Sequence, residues 1–256
     1  MKNQNETNSA LFQYCLRMAD SSLILGHRLG EWCGHGPILE EDIALTNISL
    51  DLIGQARALL SYAGELEGKE RTEDDLAYLR DVREYNNLLI VEQPNGDYGK
   101  TIMRQFLVSA FQYYFYSDLK LSKDKMLSAL AEKSLKEVTY HLRHSSEWVK
   151  RLGDGTEESK QRMLNAIDDL WLYTGDMFDA DDTDKEMVKS GIGVDLSKIK
   201  PMWEKKVAEV FAEATLEVPQ YVYMIRGSRE GKHTEHLGYI LAEMQVLPRM
   251  YPGTNW

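Results

Sequence analysis

EVTYHLRHS, residues 137–145, decides how this chain is read. Metal-carrying four-helix bundles place a carboxylate and a histidine three residues apart, so that both reach one ion. Here the residue three before His141 is Val138, and the carboxylate stands one place earlier, at Glu137. One residue is about 100° of helix rotation, so Glu137 is turned away from the direction position 138 would take. The stretch is helical in pattern, yet half of its ligand pair is missing.

Helical periodicity extends outward from it in both directions. Apolar residues recur at helical spacing from about Asn8 to Cys33, and GHGP, Gly34–Pro37, closes that helix. A second helix is expected from Leu39 to about Leu66, with Glu40, Glu41 and Asp42 favourably placed at its N-terminal dipole. A shorter one is expected at Asp75–Asn87, and a fourth at Tyr98–Leu119. In the fourth, Tyr113, Tyr114, Phe115 and Tyr116 are consecutive and so face every direction, as in a central or interface helix. The fifth, Asp124–Leu152, carries the opening stretch, and Glu157–Phe178 reads as a sixth. Residues 179–200 are acidic and read as an irregular surface excursion. Pro201 is a suitable first residue for a seventh helix, and TEHLGYILAEMQ begins the last, with Thr234 as N-cap. No strand alternation or solenoid repeat appears. The expectation is an all-α, ferritin-like four-helix bundle with additional helices, one domain over residues 1–256.

A di-iron carboxylate centre in such a bundle takes four carboxylates and two histidines from four helices. The second helix offers Leu52 and Gln55 at the required spacing, with Asp51 displaced by one. Leucine cannot ligate, and a neutral amide ligates iron poorly. Glu137, His141 and His144 share a helix face, so a mononuclear site is conceivable; a solvated face with an i, i+4 contact is the plainer reading. His233 and His236 form a second, weak H-x-x-H pair. DADDTD, Asp179–Asp184, lacks the glycine and closing glutamate of an EF-hand loop. Nucleotide-loop and nucleophile-elbow motifs are absent.

The net charge of −11 argues against nucleic acid and anionic membranes as partners. Cys15 and Cys33, the only cysteines, are expected to be reduced core thiols. The first residues lack the pattern of an export signal, and cytoplasm is the expected location. No obvious cluster of Lys and Arg stands ready for the phosphates of an acyl-CoA.

RLGEWCGHGP, LDLIGQARALLSYAGEL, LLIVEQPNGDY, YHLRHS and HTEHLGYILAEMQ, with the PG and final Trp256, resemble the C subunits of bacterial 1,2-phenylacetyl-CoA epoxidases. The resemblance covers nearly the whole chain. It implies a ferritin-like paralogue of the catalytic A subunit that carries the di-iron centre. On that subunit's pattern, Glu31 and His141 are kept, while Leu52, Gln55, Ser109 and Val138 replace ligands. The implied role is non-catalytic: a structural subunit, homodimeric in the assembly, that packs on the A subunit and helps dock the reductase. The assembly's implied reaction is NADPH- and O2-dependent epoxidation of phenylacetyl-CoA in aerobic phenylacetate breakdown. Di-iron, flavin and iron–sulfur centres would sit in the partner subunits, none in this chain. Glu31, if buried, is expected to pair with Arg28 or His141. The rival reading is a self-sufficient metalloenzyme built on Glu31, Glu137, His141 and His144. An acyl-CoA-binding bundle without chemistry is a third.

Overall fold

The computed structural model describes residues 2–254, with side chains from residue 8 onward; Trp256 lies outside the described residues. Ten α-helices and three short 3-10 segments make up the described residues, and none is a strand. The bundle is two helical hairpins. The first pairs α1 (Lys2–Gly30) with α2 (Leu39–Glu67), and the second pairs α5 (Tyr98–Leu119) with α6 (Lys125–Gly153). Between them a long crossover carries α3 (Glu73–Tyr78) and α4 (Leu89–Glu92). Then come α7 (Glu157–Leu170), α8 (Asp182–Ser190), α9 (Leu196–Glu213) and α10 (Glu235–Met250). No helix among the described residues is long and apolar enough to cross a membrane.

The α1–α2 turn depends on glycine at two points. Gly34 has φ +81°, in the left-handed region, and a Cβ on Gly36 would come within 2.7 Å of the Asp42 backbone. Asp42 fixes that approach by accepting a hydrogen bond from the Gly36 N–H at 2.9 Å. Because α1 stops at Gly30, Cys33 falls in the turn and is exposed, whereas Cys15 is buried as expected. α2 packs along α6. α1 and the turn after it meet α5 through large side chains: the Tyr14 and Phe115 ring centres are 6.3 Å apart, and the Trp32 indole, in the turn, donates to Thr101 at 3.0 Å. α5 is the central helix, packed by α6, α7 and α9, with Phe115 and Tyr116 in the core and Tyr113 and Tyr114 half-buried.

Four expected elements take another form. The short helix expected at Asp75–Asn87 is α3 followed by a 3-10 turn at Val82–Glu84. The Thr72–Asp75 capping box starts the helix, and Asp81 and Glu84 cap the turn. The sixth helix tightens to 3-10 from Trp171 to Phe178, where Gly175 lies against Met224. α9 begins five residues before Pro201, capped by the Asp195 carboxylate accepting from Ser197 N at 3.1 Å. Leu196, Ile199, Trp203 and Val207 turn one apolar face inward there, which outweighs the hydrogen bond that Pro201 forgoes. The acidic excursion is not irregular. Asp181 and Asp184 form a capping box for α8, and both accept from Arg17 of α1, the Asp184 contact being 3.1 Å. Asp179 and Asp182 pair with Arg226 and Lys185, so these carboxylates are held by cations of the chain itself.

Candidate functional site

Leu52, Ser109, Val138 and His141 are fully buried in the bundle and Gln55 nearly so. Glu31 is not with them. It lies in the turn after α1, exposed, and pairs with Arg28 at 2.8 Å; it also accepts from Asn95 Nδ2 at 2.8 Å. The expected pairing with Arg28 is present, but at the surface rather than in the interior. Its surroundings give it a structural task. Arg28 Nη2 donates to the Glu92 carbonyl at 2.8 Å, Asn95 Nδ2 donates to the Arg28 carbonyl at 2.7 Å, and the buried Arg104 guanidinium holds the Gln93 carbonyl. RLGEW and VEQPNGDY thus clamp one another where the crossover returns to the bundle.

The displaced carboxylates, Asp51 and Glu137, do not point away to solvent. Rotation by one residue turns both toward the seam between α2 and α6. There Asp51 Oδ2 accepts from His141 Nε2 at 3.0 Å, and Glu137 Oε2 accepts from Gln55 Nε2 at 2.9 Å. Each helix contributes an acid and, four residues later, a nitrogen donor, and the two pairs cross-bond. Tyr116, whose phenol is pushed up to about 12 by burial, donates to Gln55 Oε1 at 3.3 Å. One turn further along, His144 Nε2 donates to Glu41 Oε2 at 2.8 Å, and the Tyr98 hydroxyl reaches the same oxygen at 2.6 Å. Glu41, a dipole partner in the sequence reading, is a third carboxylate acceptor of this seam. The acid–x3–donor spacing, present in both Asp51/Gln55 and Glu137/His141, is the signal that would have revealed the pairing.

A di-iron centre, which the ferritin-like fold implies, does not fit this donor set. Leu52 and Val138 offer no lone pair; of the three remaining inward groups, His141 and Gln55 are bonded to Asp51 and Glu137, and Ser109 Oγ accepts from Gln105 Nε2 at 2.8 Å. Among the described residues no three His, Cys, Asp or Glu side chains converge as a metal site would need. The alternative set of Glu31, Glu137, His141 and His144 is likewise dispersed, each residue taking a different partner. His233 and His236 also part company: His233 is bonded to Glu92, and His236 takes no part. Because Asp51 supplies the one partner of the fully buried His141, whose Nδ1 has none, Asp51→Ala strands both ring nitrogens. A loss of about 1–2 kcal/mol is expected, read as a lowered urea midpoint at unchanged slope.

Folding does gather basic residues that the sequence scatters. An open cleft of about 880 Å³ is lined by Lys69, Arg71, Arg80, Arg83 and Arg229. Four of the five already face carboxylates: Glu67 holds Lys69 and Arg71, Asp20 holds Arg80, and Asp184 faces Arg229. Of these five, Arg83 alone is left to attract an anion, too little for a CoA phosphate cluster.

Two helical hairpins, a long crossover and an interior of apolar and cross-bonded side chains define an all-α, ferritin-like protein. The model of the phenylacetic acid catabolic protein family matches residues 1–256, and the chain belongs to that family. It is 50% identical over 246 residues to the C subunit of the 1,2-phenylacetyl-CoA epoxidase of Escherichia coli (strain K12), a match covering 96% of this chain and 99% of that one.

Proposed function

We propose that this chain is a structural, non-catalytic subunit of a multicomponent phenylacetyl-CoA 1,2-epoxidase, scaffolding the di-iron catalytic A subunit in aerobic phenylacetate breakdown. The observation that supports it is the seam itself. Positions from which a bundle would grip two ions hold buried Leu52 and Val138, and the neighbouring Asp51, Gln55, Glu137 and His141 bond to one another. Carboxylates buried there without a cation would be costly or would be forced to take up protons. Packed hydrocarbon removes that penalty and leaves a stable bundle. On this reading the iron, flavin and iron–sulfur centres belong to partner subunits, and the chain is cytoplasmic and pairs with a second copy inside the complex.

The test is metal content together with assembly. The purified chain is expected to hold well under one equivalent of iron or manganese after growth in supplemented medium. Co-expressed with the catalytic subunit, it is expected to co-elute with it and to raise its soluble yield. Stoichiometric metal that disappears on His141→Ala would instead make the chain a metalloenzyme in its own right.

A further inference from the structure

Tyr98, the first residue of α5, stands where three other parts of the bundle meet. Trp32 of the α1–α2 turn and Trp148 of α6 pack edge-to-face against its ring, with centres 6.0 and 5.3 Å away. Its hydroxyl donates to Glu41 Oε2 of α2 at 2.6 Å, as short as a charge-assisted O–H···O⁻ bond. His144 of α6 donates to the same oxygen at 2.8 Å.

The other tyrosines lack one half of this arrangement. Tyr85 and Tyr116 donate to the Ala77 carbonyl and the Gln55 amide oxygen, neutral acceptors that hold a proton poorly. Tyr62 donates to a carboxylate, Asp124, at 2.7 Å, but has no ring contacts like those of Tyr98 among the described residues.

In the resting protein burial, and then the bond to Glu41 and its charge, hold the Tyr98 phenol well above its ordinary pKa, so it keeps its proton. Loss of one electron reverses that. A phenol stripped of an electron is a strong acid, and here its acceptor is already in place. An indole gives up an electron less readily than a phenol that sheds its proton in the same step. A hole that enters at either tryptophan therefore drains to Tyr98. The Arg151 guanidinium lies over the Trp148 ring, 5.4 Å from its centre, and its charge opposes a positive hole there, which leaves Trp32 as the easier entry.

We infer that Tyr98 and Glu41 form a proton-coupled one-electron redox site, fed through Trp32, that takes up oxidising equivalents from radicals made by partial reduction of O2. In the step the oxidant gains one electron, the Tyr98 O–H bond breaks and the proton bonds to Glu41 Oε2. A neutral phenoxyl radical then stands beside a carboxylic acid. A soluble one-electron reductant returns the electron, and the proton returns from Glu41. This goes beyond the subunit assignment and holds for the chain by itself.

Flash photolysis of the full-length chain with tris(bipyridine)ruthenium and persulfate supplies the one-electron oxidant, and electron paramagnetic resonance of frozen samples reads the radical. A delay before freezing lets radicals on exposed tyrosines such as Tyr221 and Tyr223 decay. The parent is expected to keep a neutral tyrosyl signal. Tyr98→Phe, which retains the ring and its packing, should remove most of it. Glu41→Gln, which retains an acceptor oxygen but not its basicity, should lower the yield severalfold, and Trp32→Phe should slow the signal's appearance. Tyr62→Phe should change nothing. Circular dichroism spectra matching the parent keep the comparison on folded protein. A signal undiminished in Tyr98→Phe or in Glu41→Gln overturns the inference, as does one that tracks Tyr62, or a parent chain with no persistent tyrosyl radical. These results leave the subunit assignment standing, since that is read from metal content and assembly.

Discussion

Asp20→Ala is expected to destabilise the chain by about 3–5 kcal/mol, the range for stranding one member of a buried ion pair. Asp20 is fully buried on α1, and Arg80, just past α3, is 3% exposed. The guanidinium grips both carboxylate oxygens, the Nη1 contact being 3.1 Å, and Asn86 N donates to Asp20 Oδ2 at 2.9 Å. Arg80 also lies over the Tyr85 ring, 4.2 Å from its centre. Burial alone would lower the Arg80 pKa, but Asp20 beside it raises it, so the pair folds charged. Removing the carboxylate leaves that cation, nearly buried at the wall of the basic cleft, with only carbonyl oxygens and a ring face. The double variant Asp20→Leu with Arg80→Met should recover much of the loss, because neither charge then needs desolvation compensated. Urea unfolding followed by circular dichroism separates these outcomes. A loss below about 1 kcal/mol in the single variant would mean that water reaches the pair.

This pair shows how local signals and long-range ones differ in legibility. Helix faces are written in nearest-neighbour spacing, so α2, α5 and α6 could be read within a residue or two of their observed ends. The crossover could not. Arg80 and Tyr85 sit in a segment whose apolar spacing reads as continuous helix, but their polar ends seek Asp20 and Gln245, 60 and 160 residues away. Satisfying those buried groups breaks the helix after Tyr78. The acidic segment was misread for the same reason: Asp181 and Asp184 are held by Arg17, which lies 164 residues before Asp181 in the chain, whereas Asp182 stays fully exposed, as an acidic surface run would have it. That positions 52 and 138 cannot ligate a metal was visible because side-chain identity alone settles it. The cross-bonding of Asp51 and Glu137 was not, since a rotation of about 100° says where a side chain leaves but not what stands there. Glu31 was the reverse case, a plausible identity at a place the backbone takes outside the bundle.

A second large effect is expected where α10 is fastened. Glu92, fully buried in α4, accepts from Thr234 N at 2.8 Å, Thr234 Oγ1 at 2.6 Å, Asn87 Nδ2 at 2.9 Å and His233 Nδ1 at 2.6 Å. Thr234 therefore serves as N-cap of α10 by position, while its hydroxyl is spent on Glu92 rather than on its own helix. The other ring nitrogen of His233 faces the Tyr85 carbonyl at 2.9 Å. Two acceptors require two N–H groups, so His233 folds as the imidazolium. Burial lowers its pKa, and the bond to Glu92, that residue's charge and the Tyr85 carbonyl together raise it above the ordinary 6.5. A folded value above the unfolded one means that the His233 contribution is complete below pH 6.5 and is lost as pH rises through the higher folded value. Stability should therefore decline as pH rises above 6.5, and His233→Gln should remove that decline. Glu92→Ala should cost about 3–5 kcal/mol, because it strands a buried cation and three further donors at once. Apart from this staple, α10 is held by Leu237, Ile240 and Leu241 in the core and by Gln245 and Arg249 bonding to the Arg80 carbonyl. Amide hydrogen exchange in Glu235–Met250 should accordingly rise in Glu92→Ala well before exchange in α1 and α5. Uniform loss of protection across all helices would show instead that α10 and the bundle unfold as one unit.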